Sequence, residues 1–107
     1  MRDNIKGGAL TETTLFILLS MYKPNHGYGI MQFIENETNG RVSLGAGTLY
    51  GAINTLLKKD WITLYELNTD TRKKQYIITE HGKMIVNTEI QRIEELLNIS
   101  KKIVERG

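Results

Sequence analysis

No cysteine occurs in the 107 residues, which excludes disulfides, thiolate metal sites and a thiol nucleophile. Histidine is nearly absent as well. His26 and His81 are the only two, and no carboxylate pattern stands near either to complete a metal site, so neither a metal nor another cofactor is expected. The longest uninterrupted apolar run, Leu15 to Leu19, is far too short to span a membrane. The opening "MRDNIKGG" has no signal-peptide apolar core behind it. A cytoplasmic location and no membrane partner are the expectation. Ser20 and Ser43 lack histidine–acid companions, and "GAG" before "TLY" lacks the lysine of a phosphate-cradling loop. No catalytic residue is assigned and no enzyme is expected. Net charge is only +2, so a polyanionic partner must be argued from where the charges sit.

What is present is an ordinary globular balance, 40% hydrophobic and 24% charged, at a length suited to one folded unit. Residues 1–8 are polar and glycine-ended, a flexible arm. From Ala9 to Tyr22 nothing breaks a helix, and Leu15, Phe16, Leu18, Leu19 and Tyr22 recur at helical spacing. "KPN" then punctuates, and Asn25 is placed to cap a second helix with Gly27, Ile30, Met31 and Ile34 inward. Asn39-Gly40 reads as its stop. A third helix follows at 45–59, with Ser43 able to cap it. "WITLYEL" and "KQYIIT" flank the polar "NTDTRK", a β-hairpin signal, and Thr79 caps a long helix from Glu80 to near Arg106. The fold class is mainly α with a two-stranded hairpin: a winged helix-turn-helix over 9–79, then a C-terminal dimerisation helix over 80–107. In that layout the third helix enters a DNA groove.

Projected at 100° per residue, the third helix gathers Ala46, Leu49, Ile53, Leu56 and Leu57 on one side. Gly47, Thr48, Gly51, Asn54, Thr55 and Lys58 fall opposite. Each interior glycine costs a helix about 1 kcal/mol relative to alanine, so bare backbone here needs a reason. A merely solvated face carries Glu, Gln, Lys and Arg, whereas this one has no acid. Small residues let a backbone lie close to another surface, and missing carboxylates let that surface be an anion. Thr48 and Asn54 suit phosphate oxygens or base edges, and Tyr50, at the border, suits a phosphate. A tight helix–helix contact would use the same glycines. Arg72, Lys73 and Lys74 decide for double-stranded DNA, because the hairpin tip that carries them is where a wing meets the duplex.

Three stretches, "HGYGI" at 26–30, "GTLYGAINTLLKKDWI" at 47–62 and "RKKQYIITEHG" at 72–82, resemble the signatures of PadR-type transcriptional regulators. The resemblance runs from about Leu10 to Gly82, and the single trailing helix resembles the short-tailed subfamily. It implies a dimeric DNA-binding repressor whose ligands, where found, are phenolic or other flat hydrophobic compounds. It also implies that Thr48 and Tyr50 hold DNA, that Arg72 and Lys73 form the basic wing, and that Tyr76 packs at the start of the second strand. Two positions depart from the pattern. Asp60 stands where the family usually has glycine, in a turn that aspartate tolerates at some cost. The last helix has no tryptophan; Ile93 lies near the place where one stacks on planar ligands in the multidrug-binding branch.

Val86, Ile90, Ile93, Leu97 and Val104 follow alternating four- and three-residue steps with Ser100 in the one polar slot, a coiled-coil seam. Leu96, Ile99 and Ile103 widen it. So small a core cannot cover all of that, and a homodimer is expected, with Leu15 and Leu18 of the first helix against the partner's last helix. Two recognition helices would then demand an inverted-repeat operator. Met21, Ile93 and Leu97 are placed to line a cavity for a small hydrophobic or aromatic effector, or simply to pack as core. Glu89, Glu94 and Glu95 fall on the solvated side of the last helix. The competing reading from another class is a winged-helix protein-interaction module that binds no DNA.

Overall fold

Thr11 sets where the first helix begins. In the computed structural model, which describes residues 8–65 and 74–107, its hydroxyl accepts from the Thr14 amide at 3.1 Å. Helix α1 is therefore Glu12–Leu19, shorter at both ends than the apolar spacing implies. It closes where the Ser20 hydroxyl turns back onto the Ile17 carbonyl at 2.6 Å.

Helix α2, Gly27–Glu37, is capped by His26 and not by Asn25. The His26 ring nitrogen accepts from the Gly29 amide at 3.3 Å. Asn25 is occupied otherwise: its amide donates to the Ser20 carbonyl at 3.1 Å, and its backbone exchanges hydrogen bonds of 3.0 and 2.8 Å with Tyr76. Asn39 and Gly40 do stop the helix, at φ 51° and 79°. The Gly40 amide reaches the Glu35 carbonyl at 2.8 Å, which satisfies a last-turn carbonyl that would otherwise be orphaned.

Helix α3 runs Ala46–Lys58 behind Gly45, with no side-chain cap; Ser43 does not serve as one. The same device ends it. Asp60 takes φ 61°, and the amides of Asp60 and Trp61 bond the carbonyls of Leu57 and Leu56, both at 3.1 Å. The chain then enters strand β1, Ile62–Leu64, antiparallel to β2, Tyr76–Ile78, with Ile62 opposite Ile78. Thr79 caps α4, Glu80–Arg106, its hydroxyl accepting from Gly82 at 3.0 Å and donating to the Asp60 carbonyl at 2.7 Å.

One core joins these elements. Ile17, Leu18 and Met21, Ile30 and Ile34, Leu49, Ile53 and Leu56, then Ile62 and Val86 are buried from every side, each contributing about 1.5–3 kcal/mol of transfer free energy. The inward face of α3 is Leu49, Ala52, Ile53 and Leu56. Ala46 and Leu57, placed there from the sequence, are exposed, because a 3, 1, 3 spacing centres the buried stripe between Ala52 and Ile53. Gly82 lets α4 start hard against the end of α3, since a Cβ there would overlap the Trp61 carbonyl and crowd Ile78.

Only the opening of α4 is covered. Gly82, Val86 and Glu89 are buried, whereas Ile90, Ile93, Leu96, Leu97, Ile103 and Val104 lie exposed in the single chain. Four assignments change accordingly. Leu18 and Met21, at 0% exposure, have no surface for a partner or an effector, because the run 15–19 is apolar nearly all round and Leu18, with Met21 just past the helix end, turns into the chain's own core. Val86, 1% exposed, belongs to that core too. Glu89 is not solvated: at 3% exposure it accepts from the Leu10 amide at 3.1 Å and holds Arg92 through bonds of 2.7 and 2.8 Å. It fastens the segment before α1 onto α4.

Candidate nucleic-acid interface

The third helix presents its outward face to open space. Gly47, Thr48, Tyr50, Gly51, Asn54 and Lys58 are exposed and Thr55 is half-buried, its hydroxyl folded back on the Gly51 carbonyl at 3.2 Å. A Cβ built on Gly47 or Gly51 would meet nothing within 4 Å. No packing among the described residues accounts for these two glycines. Gly27 is the contrast, because a Cβ there would collide with the Tyr50 hydroxyl.

Tyr50 thus has a packing role along with its 48% exposure: its phenol lies against the first turn of α2 and near Tyr76. Burial, then the charge of Tyr50, pushes the Tyr76 phenol above its ordinary pKa. Tyr76 therefore stays a protonated donor at neutral pH.

Between the start of α1 and this face runs a groove of about 560 Å³, walled by Thr11, Thr13 and Thr14 on one side and Gly47, Thr48 and Gly51 on the other. Beside it Arg41, in the loop between α2 and α3, pairs with Glu12, the first residue of α1. The guanidinium holds the Glu12 carboxyl below the usual carboxylate range, and Glu12 is accordingly charged at neutral pH. Residues 38–59 contain no acid of their own.

The other cations differ in availability. Lys58 and Lys74 are exposed, while the Lys59 ammonium sits over the Trp61 ring at 4.6 Å, a cation–π contact. Arg72 and Lys73 lie outside the described residues. The two histidines have structural employment, His26 as the α2 cap and His81 edge-on to Trp61 at 6.4 Å. Arg41 escaped sequence reasoning, having no signal beyond a lone base after a turn.

A second groove, about 530 Å³, lies between α1, α2 and α4, lined by Phe16, Leu19, Tyr22, Phe33, Val86 and Ile90 among others. The exposed apolar side of α4 continues from Ile90 through Ile93 and Leu97. Leu15 is half-buried on α1. Among the described residues no helix is long and apolar enough to cross a membrane.

Residues 15–87 match the model of the transcriptional regulator PadR-like family. An uncharacterised protein of Lysinibacillus sphaericus is 30% identical over 107 residues, a match that covers 98% of this chain and 96% of that protein. Among solved structures, a transcriptional regulator from Clostridium thermocellum is 26% identical with a TM-score of 0.64, over 89% of this chain and 90% of that one. A PadR family transcription regulator from Clostridium difficile shares the fold with a TM-score of 0.70 at 21% identity, over 86% of this chain and 97% of that one.

Proposed function

Since this chain belongs to the PadR-like family of transcriptional regulators, we propose that it is a homodimeric repressor that seats α3 in the major groove of an inverted-repeat operator. It acts in the cytoplasm, where the DNA is. The observation that carries the reading is the open, acid-free face of α3, on which a Cβ at Gly47 or Gly51 would meet nothing within 4 Å among the described residues. Such a face can approach a duplex as closely as backbone allows. Thr48, Asn54 and Thr55 offer short hydrogen-bonding groups to phosphates and base edges, with Tyr50 and Lys58 at its margins. Arg72, Lys73 and Lys74 supply the wing's hold on phosphates.

Pairing through the exposed side of α4 covers Ile90, Ile93, Leu97 and Val104, with Leu15 at the edge. A twofold dimer then sets two copies of α3 about 34 Å apart, one turn of DNA. The groove between α1, α2 and α4, with the rings of Phe16, Tyr22 and Phe33 in its wall, admits a small aromatic effector beside Ile93 and Leu97. A melting-temperature rise with aromatic compounds, lost when Phe33 is replaced, tests that part.

The decisive experiment is a gel shift with the promoter region upstream of the chain's own gene, repeated across a salt series. Alanine at Arg72, Lys73 and Lys74 together lowers the salt slope by about one unit for each phosphate no longer neutralised. An unchanged slope removes the wing from the interface. A dimer with no salt-sensitive DNA binding is instead a protein-interaction module.

A further inference from the structure

We propose that Arg41 is a phosphate-binding side chain of the DNA interface, and that Glu12 occupies its guanidinium until a duplex displaces it. This rests on the DNA-binding reading of α3.

Arg41 is held at the α1 side of the interface by its backbone. Its amide donates to the Thr38 carbonyl at 3.0 Å, and the next amide, of Val42, donates to the Thr38 hydroxyl at 3.1 Å. The left-handed pair Asn39 and Gly40 turns the chain into this position. The side chain itself remains free to move, 62% exposed against 52% for Glu12.

Location gives the arginine its task. Glu12 lies between Thr11 and Thr13, which wall the groove facing Gly47, Thr48 and Gly51. From residue 39 to residue 57 Arg41 is the sole basic residue. The next available cation along the face, Lys58, stands at the opposite end of α3. Thirteen residues of helix span about 20 Å, enough to reach phosphates on both sides of a major groove about 12 Å wide. A bare helix seated there needs an anchor at each end. Lys58 serves one end, and among the described residues Arg41 is the candidate for the other.

The Glu12 pair is suited to exchange. Surface ion pairs contribute little stability because water screens them and two side chains must be ordered. A phosphate offers the guanidinium the same two-oxygen arrangement as a carboxylate and adds the entropy of released counterions. Glu12 is the intramolecular stand-in for that phosphate. It discounts every encounter with DNA equally, so it lowers casual binding and leaves sequence choice to α3.

The test uses fluorescence anisotropy with a duplex of the promoter region upstream of the chain's own gene, titrated over a salt series. The variants are R41A, E12Q and E12Q/R41A, each checked by thermal melting. R41A reduces the log–log salt slope by about 0.9, the value of one neutralised phosphate. E12Q tightens binding about threefold, on the scale of exposed ion pairs. On the R41A background the E12Q gain shrinks below about half of that, since the two act through one another. An R41A slope equal to wild type, beside a steep wild-type slope, overturns this proposal and leaves the DNA reading standing. Weakened binding by E12Q, matching R41A, also overturns it and makes the pair a mere tie between α1 and the loop. A wild-type protein without salt-dependent binding overturns both readings.

Discussion

Replacing Gly51 by alanine separates what the fold needs from what the partner needs. Gly51 sits inside α3, Ala46–Lys58, where the added methyl points into open space. Glycine in a helix interior is about 1 kcal/mol worse than alanine through backbone entropy. With no clash to offset that gain, Gly51→Ala stabilises the chain by about 1 kcal/mol, raising the melting temperature by roughly 4–8 °C. On the proposed seating of α3, the same methyl stands where a duplex comes close. Overpacking an interface by one carbon costs about 1–3 kcal/mol, an affinity loss on the order of tenfold at 1.4 kcal/mol per decade. Calorimetric melting and anisotropy with the promoter duplex read the two effects independently. A lower melting temperature would mean that Gly51 packs within the protein. Unchanged affinity at a higher melting temperature would mean that nothing approaches this face, and the reason given for both α3 glycines would fall.

At Gly82 alanine has the opposite sign: its Cβ overlaps the Trp61 carbonyl, so Gly82→Ala lowers stability by about 1–3 kcal/mol, and an unaffected urea midpoint would refute the close approach. Aspartate at both Ile90 and Ile93, which are exposed in the single chain, yields monomers without operator binding; dimers in sedimentation would place the seam elsewhere. Glu89→Leu leaves the Leu10 amide without its buried acceptor, a loss of about 1–3 kcal/mol, and hydrogen exchange at Leu10 quickens. Retained protection there would show that the N-terminal segment is held by something else.

Local chemistry is readable from sequence wherever one or two residues decide it. Asn39-Gly40 and Thr79 fix helix ends within a turn of themselves, and Asp60 takes the left-handed conformation that the following strand requires. Asn25 and His26 show the limit: both accept hydrogen bonds, and the distant Tyr76 and the Ser20 carbonyl claim the asparagine. Leu18 resists assignment because the run 15–19 is apolar on every side and shows no face, and Met21 because it follows the helix end at Ser20. Glu89 falls on the solvated side of a helical projection, since its partner Leu10 stands 79 residues earlier. Arg41 is silent for a similar reason, as Glu12 reaches it from 29 residues away. The bare face of α3 is legible as an oddity of composition, while the groove beside it exists only once the start of α1 has been folded against it.

The junction at Gly82 has no slack. Backbone meets backbone there, and Thr79 straps the same corner to Asp60 at 2.7 Å. The protein extends 57 Å along its long axis and only 28 and 22 Å across, so the protruding part of α4 is a lever with its fulcrum at that weld. In a dimer gripped by the levers, a small swing at the free ends could not be absorbed by bending near the core. It would be delivered whole to the reading helices as a change in their spacing and tilt, and a duplex of fixed pitch would be matched or refused as a unit.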